Sequence, residues 1–302
     1  MAKKNIIDIC FLRIVNPAIV FKAGQGFLFN FSRNKNTMNK KIAIIGGGNL
    51  GTAIAEGLIQ SGFVLPKHIL ITKRNIQTLH HLERKGVLVS DKNEEAVRYA
   101  DLVILAVKPF QVNDILASLK KEFHEEKHVL VSVITGISIE HIAGIIGKKI
   151  SIVRAMPNTA IAIQESMTCI AAKDVNEEQL QYVHDIFNQL GKTVKIDEKL
   201  MDAATVLGAC GTAFAMRYIR ANIQGGIEIG FDAANANLIA AQTVKGAAEL
   251  LLKKGAHPEQ EIDKVTTPKG CTIAGLNEME HRGFSSSLIK GLVASYEKIA
   301  KD

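Results

Sequence analysis

Short apolar runs alternate with helical patterns from about residue 41 to residue 154. The apolar runs have the length of strands that are buried on both faces, and they lie at Ile42–Ile45, Ile69–Thr72, Val87–Ser90, Leu102–Val107, Val129–Ile134 and Ile150–Arg154. Helical patterns lie between them, at Asn49–Ser61, Glu94–Ala100 and Gln111–Phe123 among others. Strands that alternate with helices in this way predict an α/β fold with a parallel sheet covered by helices.

The pattern changes near Glu198. Before it, strands at Met167–Ala171 and Thr193–Ile196 flank a helix at Glu177–Leu190 and extend the α/β domain. After it, alanine, glycine and leucine dominate, and Ser285–Ile299 has the pattern of a last amphipathic helix. We therefore expect an α/β domain over residues 39–198 and an all-α domain over residues 199–302.

Residues 1–38 resemble neither domain. Residues 1–37 contain six basic residues and one acid, so they carry five of the seven net positive charges. We expect a disordered extension or an upstream start before Met38, and a membrane-surface anchor is the less favoured alternative. Because the remaining chain is nearly neutral, nucleic-acid binding is not expected.

Composition narrows the class of protein further. The 302 residues are 47% apolar and 22% charged, which is typical of a folded protein with two domains. Apolar runs fall well short of the ~20 residues of a spanning helix, so integral membrane association is not expected. The cysteines form neither a disulfide pattern nor a zinc pattern, which favours a cytoplasmic location; they are Cys10, Cys169, Cys210 and Cys271.

A glycine-rich turn joins the first strand to the first helix. It has the sequence Gly46-Gly47-Gly48-Asn49-Leu50-Gly51. In a Rossmann-type, doubly wound sheet, Gly46 can make the tight turn, Gly48 lets the backbone approach a pyrophosphate, and Gly51 lets helix and strand pack closely. The strand–turn–helix context favours dinucleotide binding over an unrelated glycine-rich turn.

The end of the second strand indicates which dinucleotide is bound. NAD sites carry an acid there, whereas this strand is followed by Lys73 and Arg74. These cations can bind a 2′-phosphate, so we expect NADPH, with NADH weaker; the alternative is a solvated loop. The strand that begins at Leu102 leads into Lys108-Pro109, which we expect to border the same crevice.

One metal-site pattern is discounted. His124-Glu125-Glu126-Lys127-His128 matches the spacing of zinc proteases, but the run is charged throughout and its last histidine opens a strand. We expect a solvated helix end there and no metal site.

Two further segments stand out. Arg154-Ala155-Met156-Pro157-Asn158-Thr159 follows the sixth strand, and the segment from Val265 to Leu276 is a loop that leads into a helix. The loop places hydroxyls beside free amides at a helix N-terminus, which suits a carboxylate. A capped loop without a ligand is the alternative.

With these motifs the chain resembles pyrroline-5-carboxylate reductase, from Lys40 to about Ala300. The marks are the glycine turn, Ala106-Val107-Lys108-Pro109, the segment Arg154–Thr159 and the loop Thr266–Leu276. The resemblance implies a Rossmann domain followed by a helical dimerisation domain. It also implies NAD(P)H-dependent reduction of L-1-pyrroline-5-carboxylate, a cyclic imino acid, to L-proline by a homo-oligomer.

The resemblance also assigns roles to residues. It implies cofactor contacts at Gly46, Gly48, Asn49, Leu50, Gly51, Arg74, Asn93, Ala106, Val107, Lys108 and Pro109. It implies that the substrate is held by Thr267, Cys271 and Thr272. We expect the Thr272 hydroxyl to orient the ring nitrogen or to relay a proton through water, because threonine is a poor acid. Asn93 has an alternative role as the cap of the next helix.

The helical domain departs from the family pattern. The segment Gly208–Phe214 stands where the family has Ser-Gly-Ser-Gly-Pro-Ala-Tyr. Arg220 replaces an acidic residue that is usual in the family a few positions later. Lys269-Gly270-Cys271-Thr272 replaces Gly-Gly-Thr-Thr. Two alternatives therefore remain open. One is a related NADP-dependent reductase of another cyclic imine or a keto acid. The other is a catalytically weakened, cofactor-binding regulatory paralogue.

Overall fold

The computed structural model describes residues 40–301, and all of them belong to one compact unit. The expectations for residues 1–38 therefore lie outside the described residues. The strands are β1 Ile42–Ile45, β2 Ile69–Thr72, β3 Leu88–Ser90, β4 Leu102–Leu105, β5 Val129–Ser132, β6 Ser151–Met156, β7 Ser166–Lys173 and β8 Gly191–Lys195. The helices that accompany the strands are α1 Asn49–Gln60, α2 His80–Glu83, α3 Asn93–Tyr99, α4 Val112–Leu119, α5 Ile139–Ile146 and α6 Glu177–Asn188.

The strands form one sheet in the order β3-β2-β1-β4-β5-β6-β7-β8. The first six are parallel and have the 3-2-1-4-5-6 order of a doubly wound dinucleotide fold. The parallel sheet expected for the first six strands is thus confirmed, and β7, whose direction the sequence pattern left open, pairs with β6 in the antiparallel direction. The link over residues 157–165 is shorter than the roughly dozen residues that a parallel crossover needs.

Both faces of the sheet are covered, as the apolar strands predicted. On one face, Ile42 and Ile44 pack with Leu58 of α1 and Phe187 of α6. On the other face, Ile45 of the same strand packs into a second cluster that includes residues of α3, α4 and α5. Because alternate residues of β1 enter different layers, the strand is buried throughout and has little tolerance for polar substitution.

Several boundaries differ from expectation where the chain approaches the cleft. β4 and β5 each end two residues earlier than expected, at Leu105 and Ser132, because the chain then leaves the sheet to line the cleft. β6 and β7 are longer than expected since they extend each other as an antiparallel pair. The sequence pattern did not resolve α5, which lies between β5 and β6.

The chain from residue 201 onward is helical. The elements are α7 Met201–Ala204, a π-helical stretch Thr205–Cys210, α8 Gly211–Glu228, α9 Ala233–Lys254, α10 Pro258–Val265, α11 Cys271–His281 and α12 Phe284–Lys301. Large apolar side chains stand exposed on these helices and loops, among them Leu207, Ile229, Leu238, Leu252 and Ile289. Among the residues described, no helix combines the length and apolar character needed to cross a membrane.

The charged histidine segment is not the solvated helix end that we expected. Residues 124–128 form a turn, and His128 is fully buried with its ring edge-on to Phe123. Its Nδ1 accepts the backbone N–H of His124 at 2.8 Å, so the other ring nitrogen carries the proton and donates to the Val97 carbonyl at 3.1 Å. Burial lowers the pKa of His128 and keeps the ring neutral. Within residues 40–301, no cluster of side chains suited to a metal ion is found.

Candidate active site

The glycine turn leaves β1 at the carboxyl edge of the sheet, where β1 and β4 are neighbours. Gly46 has a φ of 108°, a conformation that side chains rarely adopt. A Cβ there would lie 2.5 Å from the Ala106 carbonyl oxygen. The next amide, that of Gly47, donates to the Thr72 carbonyl at 2.6 Å. The turn is thus fixed between β2 and β4, and glycine is required at its first position.

Gly48 and Gly51 have opposite surroundings. Nothing lies within 4 Å of the position that a Cβ would take on Gly48, so its backbone faces open space. A Cβ on Gly51 would collide with the Gly46 carbonyl oxygen. Gly48 is also the N-cap of α1 and offers no side-chain cap, and the first turn of the helix carries no acid. The first amides of α1 are therefore free to bind an anion.

At the end of β2, two cations follow a buried hydroxyl. The Thr72 hydroxyl donates to Oδ1 of Asn93 at 2.6 Å, which ties the end of β2 to the start of α3. Asn93 is the first residue of α3 and not its cap, so the alternative role considered for it was wrong. Lys73 and Arg74 follow at the mouth of the cleft, and no ion pair is formed by either of them among the described residues. Both charges are available to a ligand.

A cleft of about 1130 Å³ runs along the carboxyl edge of the sheet. Pockets for drug-sized ligands span roughly 300–1,000 Å³, so this cleft has room for a dinucleotide. It is lined by the predicted cofactor residues Gly46, Gly48, Asn49, Leu50, Lys73, Arg74, Asn93, Ala106, Val107 and Lys108. Of the predicted set, Gly51 and Pro109 are not in its lining; the first packs under the turn and the second begins a 3₁₀ turn.

Other lining residues were missed by the sequence reasoning. They include Asp91 after β3, Gln111 and Ile115 beyond β4, Val133 after β5, and Ala209. Asp91 and Val133 each follow a parallel strand directly, and this position was the signal that could have found them. Ala209 carried no such signal, since it comes from the helical part of the chain.

The segment after β6 connects the cleft to the helical part of the chain. Asn158 lines the cleft, and its side-chain amide donates to the Gly208 carbonyl at 3.2 Å. Gly208 lies in the π-helical stretch, whose wider turn differs from an ordinary helix and is frequent at functional sites. This contact holds Ala209 against the cleft, so the segment that departs from the family pattern is adjacent to the cleft.

A buried ion pair reinforces the same junction. Arg154 of β6 is 5% exposed, and its Nη1 donates to Glu198 Oε1 at 3.1 Å. The same oxygen accepts the backbone N–H of Ile139 at the start of α5, at 2.8 Å. Nε and Nη2 of Arg154 are buried and have no partner in the described part of the chain. Glu198 therefore joins β6, α5 and the beginning of the helical segment through one carboxylate.

The predicted substrate residues lie elsewhere. Thr267 begins a turn closed by the Gly270 amide, which donates to the Thr267 carbonyl at 2.9 Å, and Lys269 within this turn has a φ of 60°. Cys271 and Thr272 then begin α11, whose N-cap Gly270 provides no side-chain bond. None of the three predicted side chains is in the lining of the cleft as residues 40–301 of one chain form it. Their role stays a prediction.

Both halves of the chain match known protein families. Residues 198–302 match a family described as pyrroline-5-carboxylate reductase dimerisation, and residues 41–136 match one described as NADP oxidoreductase, coenzyme F420-dependent. The chain is 45% identical to pyrroline-5-carboxylate reductase 2 of Dictyostelium discoideum, over 87% of this chain and 93% of that protein. The chain belongs to the pyrroline-5-carboxylate reductase family. The resemblance inferred from the motifs is thereby confirmed.

Other family members show the same likeness. Pyrroline-5-carboxylate reductase 1 of D. discoideum is 49% identical over 86% of this chain, although the chain spans only about half of that protein's length, 49%. The crystal structure of Plasmodium falciparum pyrroline carboxylate reductase with NADP bound is similar, with a TM-score of 0.78 and 28% identity. It covers 87% of this chain and 97% of the Plasmodium chain. The expected fold class, a doubly wound sheet followed by helices, is confirmed.

Proposed function

We propose that this protein reduces L-1-pyrroline-5-carboxylate to L-proline with NADPH as the reductant. The observation that carries the proposal is the cleft, in which an open glycine turn and a helix N-terminus adjoin two unpaired cations in a member of this family. The alternatives of another cyclic imine and of a weakened regulatory paralogue are tested below.

The residues of the cleft fit a dinucleotide phosphate. Nothing lies within 4 Å of a Cβ placed on Gly48, and no side chain caps the start of α1, which supports the binding of a pyrophosphate there. Lys73 and Arg74 suit a 2′-phosphate, because arginine can donate two parallel hydrogen bonds to it. NADH lacks this phosphate, so we infer that it binds more weakly. Ala106, Val107 and Lys108, which follow β4, line the same cleft and can contact the cofactor.

The proposed reduction requires mainly that the imine be positioned against the cofactor. When bound, the reduced nicotinamide supplies a hydride, and the imine carbon accepts it once the ring nitrogen is protonated. Holding two reactants at near-attack distance contributes ~7–11 kcal/mol to lowering the barrier. The residues of this chain therefore have to bind the carboxylate, aim the ring and exclude water.

The loop at the start of α11 suits the substrate carboxylate. The amides of Cys271 and Thr272 are the first of this helix and no side chain caps them, so they can bind an anion together with the Thr267 hydroxyl. The Thr272 hydroxyl orients the ring nitrogen or holds a water that passes it a proton. We assign Thr272 the catalytic position and the other two residues substrate binding.

We infer that the loop reaches the cleft from a partner subunit. Within one chain the loop and the cleft are separate, whereas the helices expose a row of large apolar side chains that a second copy would cover. Leu207, which is 72% exposed, is separated by a single residue from Ala209, which lines the cleft. Residues 39–198 are then the NADP domain, and residues 199–302 the dimerisation and substrate domain of a homodimer or an assembly of dimers.

The cytoplasmic location belongs to this proposal. The three described cysteines, Cys169, Cys210 and Cys271, are all unpaired, which supports a reducing compartment.

Two experiments test the function. Expression in a proline auxotroph should restore growth, whereas a Gly48→Asp variant, which places a carboxylate where the pyrophosphate binds, should not. A panel of cyclic imino acids and keto acids assayed with NADPH separates the alternatives. Preference for another imine would replace the proposed substrate, and NADPH binding without turnover would favour the regulatory paralogue.

Subunit mixing tests the shared site. Thr272→Val subunits are mixed with Gly48→Asp subunits after dimer exchange has been confirmed with labelled chains. A composite site predicts recovered activity in the mixed dimer, because one of its two sites receives an intact cleft and an intact loop. If exchange occurs without recovery, the loop and the cleft that act together belong to one chain.

A further inference from the structure

The end of β2 carries no acid, but an acidic side chain that follows the neighbouring strand β3 lines the cleft. Asp91 directly follows β3, which pairs with β2 in parallel register so that Ser90 lies opposite Thr72. The Lys73 amide donates to the Ser90 carbonyl at 3.1 Å, which extends this pairing to the point where the cations begin. Asp91 therefore stands beside Lys73 and Arg74 at the edge of the sheet, and all three line the cleft.

The polar neighbours of Asp91 are already engaged. Oδ1 of Asn93 accepts the Thr72 hydroxyl at 2.6 Å, and Oδ1 of Asn75 accepts the Gln77 amide at 3.1 Å. Lys92 forms an ion pair with Glu95 at 3.3 Å. Asp91 is exposed, and among residues 40–301 no hydrogen bond or ion pair of its side chain is found. Its carboxylate is thus free to accept a hydrogen bond from a ligand.

The chemistry of such an acceptor is specific. In NAD sites, a carboxylate beside the second strand accepts a hydrogen bond from the ribose 2′-hydroxyl. In this chain β2 supplies cations, while the neighbouring strand β3 supplies the carboxylate. A hydroxyl donates to that carboxylate, whereas a 2′-phosphate has like charge and is repelled by it.

We propose that Asp91 sets the balance between the two nicotinamide cofactors. Its carboxylate accepts a hydrogen bond from the ribose 2′-hydroxyl of NADH and repels the 2′-phosphate of NADPH, while Lys73 and Arg74 attract the phosphate. The protein consequently discriminates less between the cofactors than two unopposed cations would allow. This inference rests on the proposed function for the identity of the cofactor, although cofactor binding tests it without any imine.

The test is the affinity of the oxidised cofactors NADP⁺ and NAD⁺ for the purified protein, measured by calorimetry. Asparagine can still accept the bond through its amide oxygen but lacks the charge that makes it strong, so Asp91→Asn should weaken NAD⁺ roughly fivefold. The same variant should bind NADP⁺ as tightly as the parent or more tightly. The matched control is Asp263→Asn, an exposed acid on α10 outside the cleft lining, which should change neither affinity.

Opposite variants make the outcome decisive. Arg74→Ala should move the NADP⁺ to NAD⁺ affinity ratio in the direction opposite to Asp91→Asn. The proposal is overturned if Asp91→Asn leaves the ratio at the parent value or weakens both cofactors equally. Asp91→Ser carries the same test if the asparagine variant does not fold. A protein that binds both cofactors but reduces no imine would refute the proposed function alone, and the affinity ratios would still decide the role of Asp91.

Discussion

Gly48 and Gly51 lie three positions apart in the glycine turn, and alanine at each should have opposite consequences. At Gly48, φ is −79° and nothing lies within 4 Å of a new Cβ, so alanine fits the folded chain. Such a change reduces the freedom of the unfolded chain, and we expect the free energy of unfolding to stay level or rise by up to about 1 kcal/mol. The new methyl, however, occupies the space through which a pyrophosphate would approach.

The same substitution at Gly48 should weaken cofactor binding. If Gly48→Ala removes one backbone hydrogen bond to a charged phosphate, about 1.5–3 kcal/mol is lost, or roughly 10- to 150-fold in NADPH affinity. At Gly51 a Cβ would meet the Gly46 carbonyl oxygen and lie 3.1 Å from Cγ2 of Ile44. Overpacking of this kind costs about 1–3 kcal/mol, so Gly51→Ala should lower Tm by several degrees, at about 2–4 °C per kcal/mol.

Thermal unfolding and NADPH titration of the two variants check this contrast. We expect Gly48→Ala to keep the parent Tm and lose NADPH affinity, while Gly51→Ala loses Tm even without cofactor. A Gly48→Ala protein that binds NADPH like the parent would refute the placement of the pyrophosphate. A Gly51→Ala protein of unchanged Tm would refute the tight packing of the turn.

Three further predictions concern charge. Arg74→Ala should lower kcat/KM for NADPH at least tenfold and change kcat/KM for NADH by no more than about twofold. An equal loss for both cofactors would place Arg74 away from the 2′-phosphate. His128 is buried and neutral with a lowered pKa, so it takes up a proton on unfolding below about pH 6.5. Stability should therefore fall with decreasing pH, by up to about 1.4 kcal/mol per unit for this residue, and His128→Gln should flatten the decline of the urea midpoint between pH 7.5 and 5.5. Glu198→Ala leaves the Arg154 guanidinium buried without its partner, which should lower the free energy of unfolding in urea by about 3 kcal/mol. Adding Arg154→Met should recover part of this loss. A double variant as unstable as the single one would contradict the ion-pair account.

The parts of the fold that follow local rules were predictable from sequence. β1 and β2 have the expected bounds because each is a short apolar run between polar turns. The glycine turn was predictable for a similar reason, since three of its four glycines meet three separate backbone requirements within six residues. The cations after β2 were also found, because they follow their strand directly.

The features that the sequence did not reveal depend on contacts between distant segments. The direction of β7 depends on the short link after β6, and the pattern of alternating residues is the same in either direction. Burial of His128 results from packing against Phe123 and from the Val97 carbonyl, and neither is visible in a charged run. Asp91 reaches the cleft through the pairing of β3 with β2, and the π-helical stretch has no simple residue signature.

The residues of the proposed substrate half of the site were found by resemblance alone. Thr267, Cys271 and Thr272 were singled out by resemblance, and the fold of one chain leaves them outside the cleft lining. Large apolar side chains are exposed on several helices, such as Leu238 and Ile289, and an interface between copies would depend on several of them at once. Sequence periodicity can mark a helix as amphipathic, but it does not indicate which surfaces meet.

The central claim is tested most directly by the stoichiometry of one reaction. Purified protein is incubated with L-1-pyrroline-5-carboxylate and limiting NADPH, and NADPH oxidation and L-proline formation are followed together. The proposed function predicts one proline for each NADPH oxidised, with a kcat/KM higher than with NADH. Oxidation of NADPH without proline, or no oxidation by a protein that binds NADPH, would contradict it.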